Sequence, residues 1–153
     1  MQEHNVEFNI LCVVNDVNGR KPLECYRFFR ETGAQFIQFI PIVERTAEGG
    51  VSPRSAPPKI LGAFFIDIFN EWVRNDIGKI YVQLFEETFR VWLGYPAGLC
   101  IFRETCGDAM ALEHNGDLYS CDHYVFPEYK LGNIRETPLA DMAESEFQIT
   151  FGK

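Results

Sequence analysis

The stretch from Val6 to Val43 constrains the fold most, because it alternates strand, helix and strand. Residues 6–15 (VEFNILCVVN) are apolar and rich in β-branched side chains, and DVNG closes them with turn chemistry. Pro22 suits the first turn of a helix in which Leu23, Tyr26, Phe28 and Phe29 recur near helical spacing, until Gly33 stops it. Residues 36–43 (FIQFIPIV) are again short, apolar and β-prone. A helix enclosed between two such runs within about thirty residues is the pattern of a βαβ unit, with parallel strands and a right-handed crossover. Parallel strands imply an α/β sheet or barrel.

Residues 44–59 (ERTAEGGVSPRSAPPK) follow with loop-level Gly, Ser and Pro. The segment lies where ligand-binding loops of α/β folds occur, and it also reads as a plain surface connection. From Ile60 to Ile77 the residues Phe64, Phe65, Ile68, Phe69, Trp72 and Val73 form a helical stripe, with Gly78 placed to end it. IYVQLFEETFRVWLG reads as a strand running into a short helix. ALEHNGDLYSCD reads as a hairpin, with Asn115-Gly116 supplying the left-handed conformations of a two-residue turn. The character of the sequence changes near Cys100, which puts a domain boundary at Tyr95-Pro96 and divides the chain into 1–95 and 96–153. There is no internal repeat and no low-complexity tract.

With 153 residues, 46% of them hydrophobic and 14 of them phenylalanine, the chain can bury a substantial core. A formal charge of −8 argues against a nucleic-acid partner, since phosphate binding rests on clustered Lys and Arg. No apolar run approaches the roughly 20 residues of a membrane span, so no membrane partner is expected. The opening MQEHNVEF lacks the basic and then apolar regions of a signal peptide, so the cytoplasm is the expected compartment.

Five cysteines is an odd number, and without a secretion signal it favours reduced thiols or metal ligands over a disulfide framework. Cys12 lies in an apolar strand and Cys25 in a helix, where a free cysteine is a small buried hydrophobe. Cys100, Cys106 and Cys121 differ. They fall within twenty-two residues, in polar and glycine-containing surroundings, and hairpin geometry can return Cys121 towards the strand after Cys106. Zinc or an iron–sulfur cluster normally takes four protein ligands at a structural site, so a fourth must come from His114, His123, another molecule or residues outside this chain. With no CxxC pair present, spacing alone leaves a metal site and three unrelated thiols both open. Asp122, beside Cys121, is suited to be a general base, but on spacing alone the reading as an exposed aspartate at a hairpin end comes first. Glu113, His114, Asp117 and His123 are polar neighbours without an assigned role.

Cys106, nine residues, Gly116, four residues and Cys121 resemble the first half of the motif of the SPASM domain, the cluster-binding extension of radical S-adenosylmethionine enzymes. LCIFRETCGDAMALEHNGDLYSCDHYVFPEYKLGNI resembles the anaerobic sulfatase-maturating enzymes, as do FNILCVVN, FIQFIPIVE and FNEWVRNDIGKIYVQLFEE, so the likeness extends over nearly the whole chain. It implies an α/β fold, the C-terminal part of a partial (β/α) TIM-like barrel over 1–95 followed by the first half of a SPASM domain over 96–153. It implies oxidation of a cysteine or serine, within a (C/S)-x-P-x-R motif of a sulfatase, to Cα-formylglycine. The cofactors implied are 4Fe-4S clusters and S-adenosyl-L-methionine. The partners are the sulfatase polypeptide and a low-potential electron donor. Carried over residue by residue, Cys100, Cys106 and Cys121 match ligands of the first auxiliary cluster, and Asp122 matches the proposed base. Pro41, Ile42 and Val43 fall at the barrel rim, where backbone contacts to S-adenosylmethionine are expected.

Two parts of the family pattern are missing. The CxxxCxxC of the radical-generating cluster is absent, and so is the closing CxxCxxxxxCxxxC of SPASM domains, expected beyond Lys153 with the fourth ligand. The chain is therefore expected to be an internal piece of a longer enzyme, inactive alone. The alternatives are another SPASM-type enzyme that modifies a different peptide, and a non-catalytic zinc or cysteine module.

Overall fold

The apolar opening run pairs as a strand only from Asn9 to Val14 (β1), shorter than its composition suggests. Pro22–Glu31 is a helix (α1) begun by Pro22, and Phe36–Pro41 is the second strand (β2). β2 lies parallel to β1, with Ile10 opposite Ile37 and Cys12 opposite Phe39. Pro58–Asn75 (α2) then leads to a two-residue strand, Tyr81–Val82 (β3), which pairs parallel with Phe36 and Ile37 and runs into Gln83–Trp92 (α3). The sheet order is β1-β2-β3, so the expected strand–helix–strand unit is present and is followed by a second crossover. These coordinates are a computed structural model describing residues 2–4 and 6–153; Met1 and Asn5, part of the opening read for a leader, lie outside the described residues. Contacts divide the chain into two units, Met1–Phe89 and Arg90–Lys153.

The core of the first unit follows from the strand period. Ile10, Cys12, Val14, Ile37 and Phe39 point to one face, where Tyr26 of α1 and Phe64, Ile68 and Trp72 of α2 are buried against them. Full burial of such side chains contributes roughly 1.5–3 kcal/mol each before conformational entropy opposes it. Aromatic edges meet faces throughout: Phe39 with Phe64 at 5.2 Å and Phe69 with Phe85 at 5.3 Å between ring centroids. The Trp72 indole N–H, which could not be buried unpaired, donates to the Ile80 carbonyl at 2.7 Å. The Tyr26 hydroxyl donates to Asp76 Oδ2 at 2.8 Å and Arg30 reaches the same oxygen at 3.3 Å, tying α1 to the end of α2. Burial, and then Asp76, push the Tyr26 hydroxyl pKa upward. Phe28, part of the expected helical stripe, faces solvent instead, because α1 presents Tyr26 inward.

The opposite face of the sheet carries Leu11, Val13, Phe36, Ile40 and Tyr81, all exposed. Residues 44–57 are a loop held by its own bonds. Ser52 Oγ donates to Glu44 Oε2 at 2.7 Å, the Glu44 amide donates to Ser55 Oγ at 3.1 Å, and bridges join Arg45 to Val51 and Asn15 to Ser55.

The second unit is built on an antiparallel meander of Ala111–Leu112 (β4), Asp117–Tyr119 (β5) and Lys130–Asn133 (β6). Two short helices follow, Leu139–Ala143 (α4) and Glu146–Thr150 (α5), the latter capped by Ser145 Oγ accepting from the Gln148 amide. The hairpin forms where expected, but its turn differs. The Gly116 amide donates to the Glu113 carbonyl and the Glu113 amide to the Asp117 carbonyl, each at 2.9 Å, which is a three-residue loop ending in a glycine bulge at φ +91°. Asn115 Oδ1 accepts from the Asp117 amide and closes the turn. Asp117 accepts in turn from Lys130 at 2.7 Å, Asn133 at 2.9 Å and Asn115 at 3.0 Å. The Lys130 ammonium and then the Asn133 amide hold its carboxyl below the ordinary range.

Candidate functional site

The meander places two of the three clustered thiols at one end. Cys106 precedes β4, Cys121 follows β5, and the pairing of Ala111 with Tyr119 brings the two arms to the open end of the hairpin. Cys100 opens a turn of 3-10 helix, Cys100–Phe102. Arg103 steadies the connection to Cys106, donating to the Ala97 carbonyl at 3.1 Å and pairing with Asp108 at 2.8 Å. Cys121 is extended at φ −160° and starts the turn Asp122–Tyr124, whose last amide donates to the Cys121 carbonyl at 3.0 Å. Tyr124, Tyr129 and Phe151 pack edge-to-face beside it.

The Cys121 thiol donates to Asp122 Oδ1 at 3.3 Å. Burial pushes that thiol's pKa up and the negative charges of Asp122 and Cys100 add to the rise, while the His123 backbone amide opposes it. The Asp122 side chain is 70% exposed, and His123 Nε2 stands 3.8 Å from its Oδ1. His114 is on the hairpin tip, 93% exposed beside Glu113. About five extended residues, roughly 16 Å, separate that tip from Cys121, so His114 is no ligand to a group held there.

All five cysteines are free thiols. Cys12 and Cys25 sit in the first unit and pack against its core; burial raises both pKa values, that of Cys12 to about 11. Cys100, Cys106 and Cys121 supply the donor chemistry of an iron–sulfur cluster, in which each iron takes its own thiolate. Among the described residues no three His, Cys, Asp or Glu side chains converge on a point that would hold a single ion.

Pro41 is the last residue of β2 in the first unit, and Ile42 and Val43 follow it. Proline has no N–H, and the Ile42 amide donates to the Val14 carbonyl at 2.9 Å, so these residues offer a visitor mainly carbonyls and the exposed Val43. Sequence reasoning missed Gln148 and Gly152. Gln148, on α5, donates through Nε2 to the carbonyls of Gly107 and Ser120. The Cys106 amide donates to the Gly152 carbonyl at 3.2 Å. A glutamine in a short terminal helix gives no signal of such a role.

Residues 100–153 match the SPASM family, an iron-sulfur cluster-binding domain. A serine-type anaerobic sulfatase-maturating enzyme of Bacteroides thetaiotaomicron is 44% identical over 99% of this chain and 40% of its own length. A cysteine-type enzyme of Clostridium novyi is 30% identical over 99% of this chain and 41% of its own. Among solved structures, native anSMEcpe with bound AdoMet and Cp18Cys peptide superposes with a TM-score of 0.82 at 28% identity, covering 98% of this chain and 42% of that one. The chain thus spans about 40% of the length of the relatives it matches. Over that span the chain is similar to the anaerobic sulfatase-maturating enzymes, and its residues 100–153 carry the iron-sulfur cluster-binding SPASM domain.

Proposed function

We propose that this chain is the part of a radical S-adenosylmethionine oxidoreductase that receives a sulfatase polypeptide and removes the proton and electron needed to turn its cysteine or serine into Cα-formylglycine. Residues 1–95 are the late part of a partial (β/α) barrel and residues 96–153 the first half of a SPASM domain. The remaining partner is a low-potential electron donor, and the compartment is the cytoplasm. No described helix is long and apolar enough to cross a membrane.

The observation that carries the reading is the Cys121–Asp122 pair, a thiol at 3.3 Å from a carboxylate that is otherwise open to solvent. In this reading Cys100, Cys106 and Cys121 hold an auxiliary 4Fe-4S cluster, and Pro41, Ile42 and Val43 lie against S-adenosylmethionine. When bound, S-adenosylmethionine would supply the hydrogen-abstracting chemistry at the target Cβ, and a cluster held by Cys100, Cys106 and Cys121 would supply an electron acceptor. Metal ligation requires the thiolate, so a ligating Cys121 no longer donates to Asp122 Oδ1. That oxygen then has a lone pair for the proton of the target's thiol or hydroxyl. Its exposure lets an extended peptide reach it.

Serine-type and cysteine-type relatives both match, so the test uses both targets. The intact protein, reconstituted anaerobically with iron and sulfide, is given S-adenosylmethionine, a reductant and paired peptides carrying Ser-x-Pro-x-Arg or Cys-x-Pro-x-Arg. A mass loss corresponding to formylglycine is expected in at least one peptide. Unchanged masses, with S-adenosylmethionine still cleaved, overturn the reading.

A further inference from the structure

α5 and the residues just after it grip both arms that carry the hairpin thiols. The Gln148 side chain is buried, and its Nε2 donates to the Gly107 carbonyl at 2.6 Å and to the Ser120 carbonyl at 3.3 Å. Gly107 follows Cys106 and Ser120 precedes Cys121, so one carboxamide spans the two arms a single residue away from each thiol. Both of its N–H groups are committed, which fixes the amide plane. The arms need such a tie, because β4 is two residues long and a ladder that short cannot hold its open end in register.

Cys106 is gripped a second time. Its amide donates to the Gly152 carbonyl, and a Cβ on Gly152, which has φ +79°, would overlap Cys106 Sγ. A Cβ on Gly107 would stand 2.9 Å from the Phe151 carbonyl oxygen. Close approach of the two backbone segments therefore depends on glycine on both sides. Gln148 Oε1, meanwhile, is buried with no hydrogen-bond partner. An apolar side chain of similar volume would fill the space without leaving that acceptor unpaired, so packing alone does not account for the amide.

We propose that Gln148, backed by Gly152, is a positioning residue that sets the separation of Cys106 and Cys121 to the one a shared iron–sulfur cluster requires. The inference rests on the cluster reading above. Partners of this kind act on affinity and electronic structure through the ligands, typically by roughly 10–100-fold in metal affinity.

The test uses the intact protein, prepared anaerobically, with Gln148→Met and Gln148→Glu. Both roughly keep the side-chain volume and remove the two N–H donors, the glutamate retaining at most one O–H donor when protonated. Each is expected to lose auxiliary-cluster iron to a competing chelator with roughly 10–100-fold weaker apparent affinity and to shift the EPR spectrum of the reduced auxiliary cluster. In the metal-free protein, the yield of a short bismaleimide cross-link between Cys106 and Cys121, mapped by peptide mass, should fall. Wild-type affinity, spectrum and cross-link yield in both variants, with Cys106→Ala losing the cluster, overturn the positioning role and leave the cluster reading intact. Cys106→Ala and Cys121→Ala that keep wild-type iron and spectrum overturn the cluster reading itself. Should the Gln148 variants not fold, Gly152→Ala decides: it keeps the amide and displaces Cys106 Sγ, and wild-type cross-linking and iron affinity there overturn the proposal.

Discussion

Asp122 and Cys12 are both acidic groups beside sulfur, and their surroundings give them opposite consequences. Asp122 is open to solvent and, among the described residues, its side chain engages the Cys121 thiol and His123, so its substitution disturbs little structure. Asp122→Asn keeps the shape and removes the proton acceptor. The variant is expected to retain iron content and S-adenosylmethionine cleavage while formylglycine yield falls about 10²–10⁴-fold, measured by peptide mass spectrometry. Full yield would remove Asp122 from the role of base. Cys12, in contrast, is half-buried against an apolar core, and burial first, then Cys25, lifts its pKa from 9.0 to about 11. The unfolded thiol loses its proton near 9.0, and the folded one keeps it until about 11. The folded state therefore binds more protons across that window, so stability is full below pH 9 and declines as the pH rises towards 11. Cys12→Val should make that decline shallower in urea unfolding series, whereas an unchanged slope would mean the thiol is solvated in the folded protein.

The elements differ in how far their own sequence specifies them. α2 was legible because Phe64, Ile68 and Trp72 keep one helical stripe, and burial falls on those three residues. Trp72 also holds the Ile80 carbonyl and packs on Phe85. Trp72→Ala should cost about 3–5 kcal/mol by denaturant unfolding, chiefly as a cavity under the sheet; a loss below ~1 kcal/mol would mean the site collapses to fill it. The hairpin was legible as a hairpin but not in its turn, because Asn115-Gly116 suits both a two-residue loop and a three-residue loop with a bulge. Asp117 decides between them by gathering Asn115, Asn133 and Lys130, and Asn133 and Lys130 lie far along the chain. Those bonds depress the Asp117 pKa, so their stabilisation is present above about 3.8 and is lost as the pH falls below it. Asp117→Asn is expected to flatten that acid limb. Spacing grouped Cys100, Cys106 and Cys121 without deciding between a metal site and unrelated thiols, and the roles expected of them and of Asp122 came from the resemblance. Gln148 could not be picked out, because its partners are carbonyls 41 and 28 residues away and a carbonyl has no sequence signature.

At the scale of the whole molecule the two units have unequal means of holding themselves together. Met1–Phe89 buries Val14, Tyr26, Ile37, Phe39, Phe64, Ile68, Trp72, Val82 and Phe85 in one aromatic-rich cluster. Arg90–Lys153 buries only Leu118 and Met142 among its described apolar side chains, and its buried polar side chains are Ser120 and Gln148. A unit of that size with so small a core rarely gains more than about 3–5 kcal/mol from apolar burial, and small folds of this kind commonly depend on a metal or disulfide. No disulfide is present, and two of the three thiols, Cys106 and Cys121, lie along the segments that Gln148 and Gly152 brace. Binding free energy at such a site is folding free energy for the unit that carries it. Removing iron from the intact protein with a chelator should therefore raise amide hydrogen exchange in residues 100–125 and 146–153 while β1, β2 and α2 keep their protection, followed by mass spectrometry of peptic fragments. Exchange that rises equally in both units would mean that the protein unfolds as one body and that the cluster stabilises all of it. Exchange unchanged in 100–125 would mean that the second unit stands on its own hydrogen bonds, with the thiols adding nothing to its stability.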